Sequence, residues 1–424
     1  MTAAVLSIGT ELTRGEIVNT NAAWLSAALS DLGFDVVENV TVADDEERIV
    51  AAFNRLTKSA RVVVCTGGLG PTSDDITARA IALALGVPLV RDQASLEYIR
   101  RKLSLAGREM SDSNAKQADV PASAEVLPNA AGTAPGFVVE ANGSSAFFLP
   151  GVPKEMDRLY RDCVMPRIRS LSPTDAFQVR LRLFGLPESQ VGDRLAGIEA
   201  THPGVAIGYR VAFPEVEVKV LARADTHLVA RERVERASIE VRARLAPWIF
   251  GEGDDTFPAH VGRLLRGRGF TLAVAESCTG GLLGHLLTRE SGASDFFVAD
   301  AVTYANSAKA KFLGLAEDVL RWHGAVSGEV AAAMAEGVKR TAQADLGIGI
   351  TGIAGPGGAT ESKPIGLVYI SVAGPTGTIV REYTFTGDRN QVQMRAAYTA
   401  LQMVRMVCLD SASSARDITA RLPI

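Results

Sequence analysis

Three observations predict a mixed α/β protein built in three parts. Short apolar strands alternate with amphipathic helices at both ends of the chain, and the stretch between them alternates apolar with polar residues. The length, 424 residues, exceeds one ordinary core, since domains run to roughly 150 residues. Strand–helix alternation implies a parallel sheet covered on both faces. Polar–apolar alternation implies half-buried strands.

From the N-terminus, AAVLSIG at 3–9 reads as a buried strand, and NTNAAWLSAALSDLGF as a helix capped by Thr20 or Asn21. FDVVENVTV is a second strand and EERIVAAFNRLTKSA a second helix. RVVVCTGG is a third strand, running into a glycine loop and the helix DDITARAIALALG. A strand, a turn and a helix in FFLPGVPKEMDRLYRDCVMPRI close this part near residue 170. Between 171 and 253, FQVRLRLFG, GVAIGYRVAF and EVEVKVLARA read as strands and SQVGDRLAGIEA as a helix, a small α+β domain of split βαβ kind. The Arg/Glu run THLVARERVERASIEVRARLA reads as a solvated helix with i,i+4 ion pairs. GEGDDTFPAH at 251–260 has the composition of a linker. From 254 to 424 the alternation resumes: strand TLAVAES, helix CTGGLLGHLLTRE, strand FFVADAVTY, helices at 306–313 and 327–340, strand ADLGIGIT, two further strands and a helix through 388–409.

Composition bounds the function. The chain is 47% apolar and 22% charged with net charge −4, which argues against broad nucleic-acid binding, since that requires a basic surface. MTAAVLSIGTELTRG lacks a cationic signal-peptide start. The apolar run IALALGVPLV is too short to span a bilayer. The four cysteines lie far apart without CxxC spacing, so neither a zinc site nor a disulfide framework is expected. A cytoplasmic protein without membrane partners is the expectation.

Two stretches carry chemistry near the C-terminus. Ala275-Glu276-Ser277-Cys278-Thr279-Gly280-Gly281 falls where a strand meets a helix. A nucleophile there stands at the strand's carboxyl end, where free helix amides stabilise an oxyanion, and the glycines admit a substrate to the backbone. The same residues also read as a turn in which Ser277 caps the helix. Cys278 competes as nucleophile but needs a base. Of five histidines, His285 lies seven residues further along the same helix and His323 sits in the RWHGAVS turn. A serine activated by neutral lysine is the other reading. Lys309, in Tyr304-Ala305-Asn306-Ser307-Ala308-Lys309, has the apolar flanks that permit burial and a lowered pKa. Tyr304 would relay or donate a proton.

A third stretch, Gly349 to Gly358, follows an apolar strand with more glycines than packing needs. Its amides suit a phosphate nest, although it lacks the Lys-Ser/Thr ending of a P-loop. Arg389, opening the last helix, would add a phosphate contact.

From about 257 to 410, the succession AESCTGG, TYANSAK, HGAVSGEVAAAMAEG, ADLGIGITGIAGPGG, KPIGLVYI and TGDRN resembles the CinA C-terminal family, the nicotinamide-nucleotide amidases also called PncC. The resemblance implies that Ser277 is the nucleophile, assisted by Tyr304 and Lys309. Substrate contacts would fall on Thr279, Gly280, Gly281, Asn306, Thr351, Gly352, Gly355 and Arg389. The implied reaction needs no cofactor: nicotinamide mononucleotide is hydrolysed through an acyl-enzyme to nicotinic acid mononucleotide and ammonia. The family's YSNEAK reads YANSAK here, with Ala305 and Ser307 at the departures.

In the N-terminal part, Thr66 to Asp75 spells TGGLGPTSDD between a strand and a helix, and Asp44-Asp45 ends another strand. Loop amides cradle phosphate, while carboxylates beside them either hold a divalent metal or cap helices. TGGLGPTSDDIT and LPGVPKEM resemble the molybdopterin-binding, MoaB/MogA-like fold, and SIGTELTRGEIVNTN is similar to its CinA version. This resemblance implies metal-dependent hydrolysis of ADP-ribose to AMP and ribose 5-phosphate. Gly67, Gly68 and Gly70 would face the substrate. Asp45 and Asp75 would hold a divalent metal, with Asp74 a weaker candidate. The middle part corresponds to the family's KH-like domain, but it has no GxxG loop for RNA.

The fold expected is therefore α/β: a molybdopterin-binding-like parallel-sheet domain over 1–170, a KH-like α+β domain over 171–253 and an α/β CinA amidase domain over 254–424. Its partners would be the two nucleotides and a second copy of the chain in a dimer. Two other readings stand beside this one: an accessory protein of competence or DNA damage acting by protein contacts, and a molybdopterin-processing N-terminal domain.

Overall fold

Three strands of the N-terminal part end at one edge, and that edge organises the first cavity. The computed structural model describes residues 1–169, 171 and 175–409. Two compact units divide it: Met1–Gln178 with Leu221–Val234, and Val179–Val220 with the chain from Glu235 onward. In the first lie strands β1 (Thr2–Ile8), β2 (Asp35–Val42), β3 (Val62–Thr66), β4 (Leu89–Arg91), β5 (Asp119–Pro121), β6 (Glu125–Leu127), β7 (Gly136–Ala141) and β8 (Ser144–Leu149). Six of them form one sheet in the order β2-β1-β3-β8-β7-β6, and β4 pairs with β5 separately.

β2, β1, β3 and β8 run parallel, whereas β7 and β6 turn the sheet's far edge antiparallel. The cause is local. Asn142 and Gly143, at φ 53° and 78°, make a two-residue hairpin, and so tight a link permits only antiparallel pairing. One sheet face packs Ile49, Phe53 and Leu56 of the helix Glu46–Ser59 with Ala80 and Ile81 of the helix Thr77–Leu85. The other packs Leu25 and Leu29 of the helix Thr20–Asp31 with Met156 and Leu159. That first helix is capped by neither Thr20 nor Asn21: the Asn19 side chain accepts from the Ala22 amide. Asn21 is occupied elsewhere, donating to Thr66 Oγ1 at 3.2 Å and to the Gly151 carbonyl at 2.8 Å.

The middle strands β9 (Asp175–Leu183), β10 (Val205–Ala212), β11 (Glu215–Ala224) and β12 (Ile249–Glu252) form a four-stranded sheet in the order β10-β11-β9-β12. The Arg/Glu run is the helix His227–Leu245, with an Arg244–Glu240 i,i+4 pair on its surface. The stretch expected as a linker is ordered chain. Gly251 and Glu252 pair antiparallel with β9, and Thr256 caps the helix Phe257–Arg268 by accepting from the Ala259 amide. Phe257, fully buried, stacks among Phe184, Phe250 and Tyr398 at centroid distances of 5.1, 4.9 and 5.7 Å. Burial of these rings welds the end of the middle sheet to the last helices.

β13 (Leu272–Glu276), β14 (Phe297–Val302), β15 (Leu346–Gly352), β16 (Leu367–Gly374) and β17 (Gly377–Thr384) form the final sheet in the order β14-β13-β15-β16-β17. β13 is parallel to both neighbours, and the remaining pairs are antiparallel. The chain leaves β13 for β14 on one side and returns to β15 on the other. A crevice opens at such a reversal, beyond the strands' carboxyl ends. Among the described residues no helix is long and apolar enough to cross a membrane.

Candidate active site

Ser277 follows β13 directly, at that reversal point, and is 9% exposed. Its amide donates to the Ile350 carbonyl of β15 at 3.0 Å, which continues the sheet pairing by one residue. Lys309 comes from the helix Asn306–Leu313, which begins just past the end of β14. A helical side chain leans toward its own N-terminus, so Lys309 points back over the strand ends. It is 1% exposed. Its Nζ donates to Ser277 Oγ at 3.0 Å and to the Thr303 carbonyl at 2.7 Å, with the Tyr304 carbonyl at 3.4 Å. Among the described residues no carboxylate pairs with it, and burial pushes its pKa below the ordinary lysine value. A neutral amine there gives its two hydrogens to the carbonyls and offers its lone pair to the Ser277 hydroxyl.

The turn after Ser277 is held by a residue to which the motif reading assigned no role. Glu276 is fully buried. Its carboxylate accepts from the Gly281 amide at 3.0 Å and the Gly284 amide at 2.8 Å. The helix therefore starts at Leu282 rather than at Ser277, and its Leu282 and Gly284 amides are already taken. Other donors lie in the turn before it. The N–H groups of Cys278 and Thr279 have no acceptor among the described residues, and neither does the Thr279 hydroxyl, which is 3% exposed. Gly280 and Gly281, at φ +65° and +95°, supply the left-handed backbone of this turn. The sequence signal for Glu276 is a charged residue closing an apolar strand.

Asp300, on the neighbouring β14, completes the brace. Its carboxyl hydrogen-bonds Glu276 and lies where a side chain at Gly284 would sit. Burial first, and then the Glu276 charge, push its pKa up to about 7. Asp300 thus keeps its proton up to near neutrality and can donate it to the Glu276 carboxylate. A carboxyl raised from its ordinary 3.8 to about 7 binds its proton more tightly in the folded state. Stability should therefore fall as pH rises across that window and level off above it. Asp300→Asn, which keeps a hydrogen-bonding side chain but does not titrate, should flatten the slope. Thermal unfolding from pH 5 to 8 measures this; equal slopes in both proteins would remove Asp300 as the cause.

The other expected site residues divide. Tyr304 is 64% exposed, and its hydroxyl accepts from Arg389 Nη2 at 3.1 Å, so its phenol bonds to neither Ser277 nor Lys309. Arg389 also donates to the Gly355 carbonyl at 2.6 Å. It thereby ties the YANSAK stretch, the glycine loop and the last helix together. Asn306 is the exposed first residue of its helix. Thr351 is buried and donates to the Ala325 carbonyl at 2.6 Å, pinning the end of β15. The glycines before the loop are packing residues after all. A Cβ at Gly347 or Gly349 would strike the carbonyls of Ala335 or Ala331 on the helix Gly328–Ala342, and one at Gly352 would meet Leu367 O at 2.6 Å. Cys278 is buried with its thiol pushed up to about 12, first by burial, and its thiol hydrogen-bonds to no base among the described residues. His285 is exposed, and His323 lies 3.4 Å from Glu329.

The cavity of the N-terminal part, of about 450 Å³, lies over the carboxyl ends of β1, β3 and β8. Gly67, Gly68, Gly70, Asp74 and Asp75 line it, together with Asp44 and Gln117. Gly67 and Gly68 have φ +104° and +66°, and side chains there would strike the Ile8 carbonyl and the Thr77 hydroxyl. The amides of Gly68, Leu69 and Gly70 have no acceptor among the described residues. Gln117 is 8% exposed and its Oε1 is unpartnered. Nothing in the motifs had marked it.

The expected metal pair does not converge. Asp45 is absent from the cavity lining; it caps the helix Glu46–Ser59, accepting from the Arg48 amide at 2.9 Å. Its neighbour Asp44 lines the cavity instead and accepts from the Thr10 amide at 2.8 Å. Asp75 Oδ2 accepts from the Thr72 amide and hydroxyl at 2.8 and 2.6 Å. Among the described residues no group of three or more His, Cys, Asp or Glu side chains is placed to hold a metal ion. As arranged, Asp45 serves a cap bond and Asp75 a loop bond, while Asp44, Asp74 and Asp75 line one cavity.

Comparison with known proteins covers the chain from end to end. Residues 4–170 match the probable molybdopterin binding domain, 178–251 the damage-inducible protein CinA KH domain and 254–408 the CinA C-terminal domain. A CinA-like protein of Geobacter sulfurreducens is 45% identical over 407 residues, 96% of this chain and 98% of its own. A CinA-like protein of Anaeromyxobacter dehalogenans is 42% identical over 408 residues, 96% of this chain and 99% of its own. Among solved structures, a CinA protein from Thermoplasma acidophilum is 36% identical, covers 40% of this chain and 97% of that one, and has a TM-score of 0.37.

Proposed function

The chain belongs to the CinA family, the competence- and damage-inducible proteins, and from that premise we propose that its C-terminal part hydrolyses the carboxamide of nicotinamide mononucleotide. The observation that carries this is the 3.0 Å contact of Lys309 Nζ with Ser277 Oγ, made by a buried lysine that meets only carbonyls besides. Ser277 Oγ attacks the carboxamide carbon and its proton passes to Lys309 Nζ. The resulting oxyanion meets the open amides of Cys278 and Thr279. Lys309, now an ammonium held by the Thr303 and Tyr304 carbonyls, gives the proton to the departing nitrogen, and ammonia leaves. Water then attacks the acyl-serine, with Lys309 again the base, and nicotinic acid mononucleotide is released. Arg389, fixed by Tyr304 and Gly355, supplies positive charge at the rim for the phosphate.

The test is ammonia release from nicotinamide mononucleotide by the purified full chain without added metal. A folded protein that releases none would overturn the reading and favour an accessory protein acting by contacts.

The N-terminal cavity favours a second activity on a pyrophosphate nucleotide, for which ADP-ribose is the family's implied substrate. Its support is the row of open amides at Gly68, Leu69 and Gly70 beside a roughly 450 Å³ space. Formation of AMP from ADP-ribose, compared with turnover of molybdopterin, tests it. Turnover of molybdopterin alone would replace the assignment.

A further inference from the structure

Away from Ser277, a cavity of about 210 Å³ opens where the β10–β11 hairpin and the last helix meet. Phe184, Leu186, Val211, Phe213 and Phe385 line it with apolar surface. Two polar side chains of the helix Arg389–Leu409 interrupt that surface, Arg395 and Thr399. Thr399 is 1% exposed and its hydroxyl has no partner among the described residues; Arg395 Nε is also buried and without a partner among them. Residues four apart share one helix face, so both donors stand on the same wall. Buried donors without an acceptor are uncommon in folded proteins, and two together on one cavity wall ask for a shared acceptor.

The charges nearby define that acceptor. The Arg395 guanidinium rests 5.2 Å from the Phe213 ring centroid, a contact that leaves its in-plane hydrogens free. Glu215, also lining the cavity, is committed: it accepts from the Tyr398 hydroxyl at 3.0 Å and pairs with Arg182. Glu188 lines the rim and is exposed. The volume falls below the roughly 300–1,000 Å³ of pockets for drug-sized ligands, which leaves room for one ring. We propose that this cavity is a further small-molecule site that takes a single-ring aromatic monocarboxylate. One carboxylate oxygen accepts from Arg395 Nε and the other from the Thr399 hydroxyl, while the ring lies among Phe184, Phe213 and Phe385.

Benzoate, titrated calorimetrically into the full chain, is the probe. Saturable binding is expected, weakened at least tenfold by Arg395→Met and several-fold by Thr399→Val, with benzamide at least tenfold weaker than benzoate. Because the Thr399 hydroxyl has no partner among the described residues, Thr399→Val should leave the unfolding temperature unchanged or raise it, which separates lost binding from lost structure. No saturable binding of benzoate would overturn the proposal. So would equal affinity in wild type and Arg395→Met, or loss of binding in Arg389→Met alone, which would place benzoate beside Ser277.

Discussion

Ser277→Ala is expected to lower release of ammonia from nicotinamide mononucleotide by several orders of magnitude, whereas Cys278→Ala leaves most of it. The two side chains are neighbours in the chain but not in chemistry. Ser277 Oγ lies 3.0 Å from a buried amine, whereas the Cys278 thiol is buried, pushed up to about 12 and hydrogen-bonded to no base among the described residues. A thiol so held is protonated throughout the neutral range and a poor nucleophile. Removing a nucleophile typically costs on the order of 10⁶ in kcat when the rest of the machinery works with it. Steady-state and single-turnover rates on both variants decide the assignment. Activity retained in Ser277→Ala and lost in Cys278→Ala would transfer the role to the thiol.

Lys309→Met should cost about 10²–10⁴ in kcat/KM, the usual contribution of a positioned acid–base group, and should change the pH profile. In the native protein kcat/KM should rise with pH as Lys309 loses its proton, at a pH below the ordinary lysine value of 10.5, because burial lowers it. Lys309→Met should lack that limb. Lys309→Arg should be no better than methionine, since a guanidinium does not deprotonate. Stability follows the same linkage. The unfolded chain holds the lysine proton more tightly than the folded one, so stability should rise with pH between the lowered value and 10.5. The methionine variant should lose this rise. Full activity in Lys309→Met, with the acidic limb intact, would dismiss Lys309 as the base.

The fold was legible where its signals are local. Strand and helix periodicity placed β1, β2, β3, β13, β14 and β15 and most helices between them, though not the helix Glu317–His323, because apolar spacing records which face each segment buries. The antiparallel edge at β7 and β6 was missed, because it hangs on a two-residue turn, Asn142-Gly143, inside a stretch without strong periodicity. Gly251 and Glu252 read as linker because their composition is that of a loop. Their pairing partner, β9, lies some seventy positions earlier, beyond any local window.

The site shows the same division. The motifs carried Ser277, Lys309 and the left-handed glycines, because nucleophile, base and backbone freedom are properties of residue types in a short order. Whether Lys309 reaches Ser277 depends on a parallel neighbour strand and a helix turned back across it, and no spacing in the chain encodes that distance. The exchange of roles between Asp44 and Asp45 is the sharpest case. Adjacent residues of identical chemistry were separated by one peptide unit's change of direction, which sent Asp45 to a helix cap and Asp44 to the cavity. Glu276 and Asp300 were silent for the same reason. Their meaning is a contact across two adjacent strands, and the raised Asp300 pKa arises only when packing removes the water that would otherwise solvate its carboxyl.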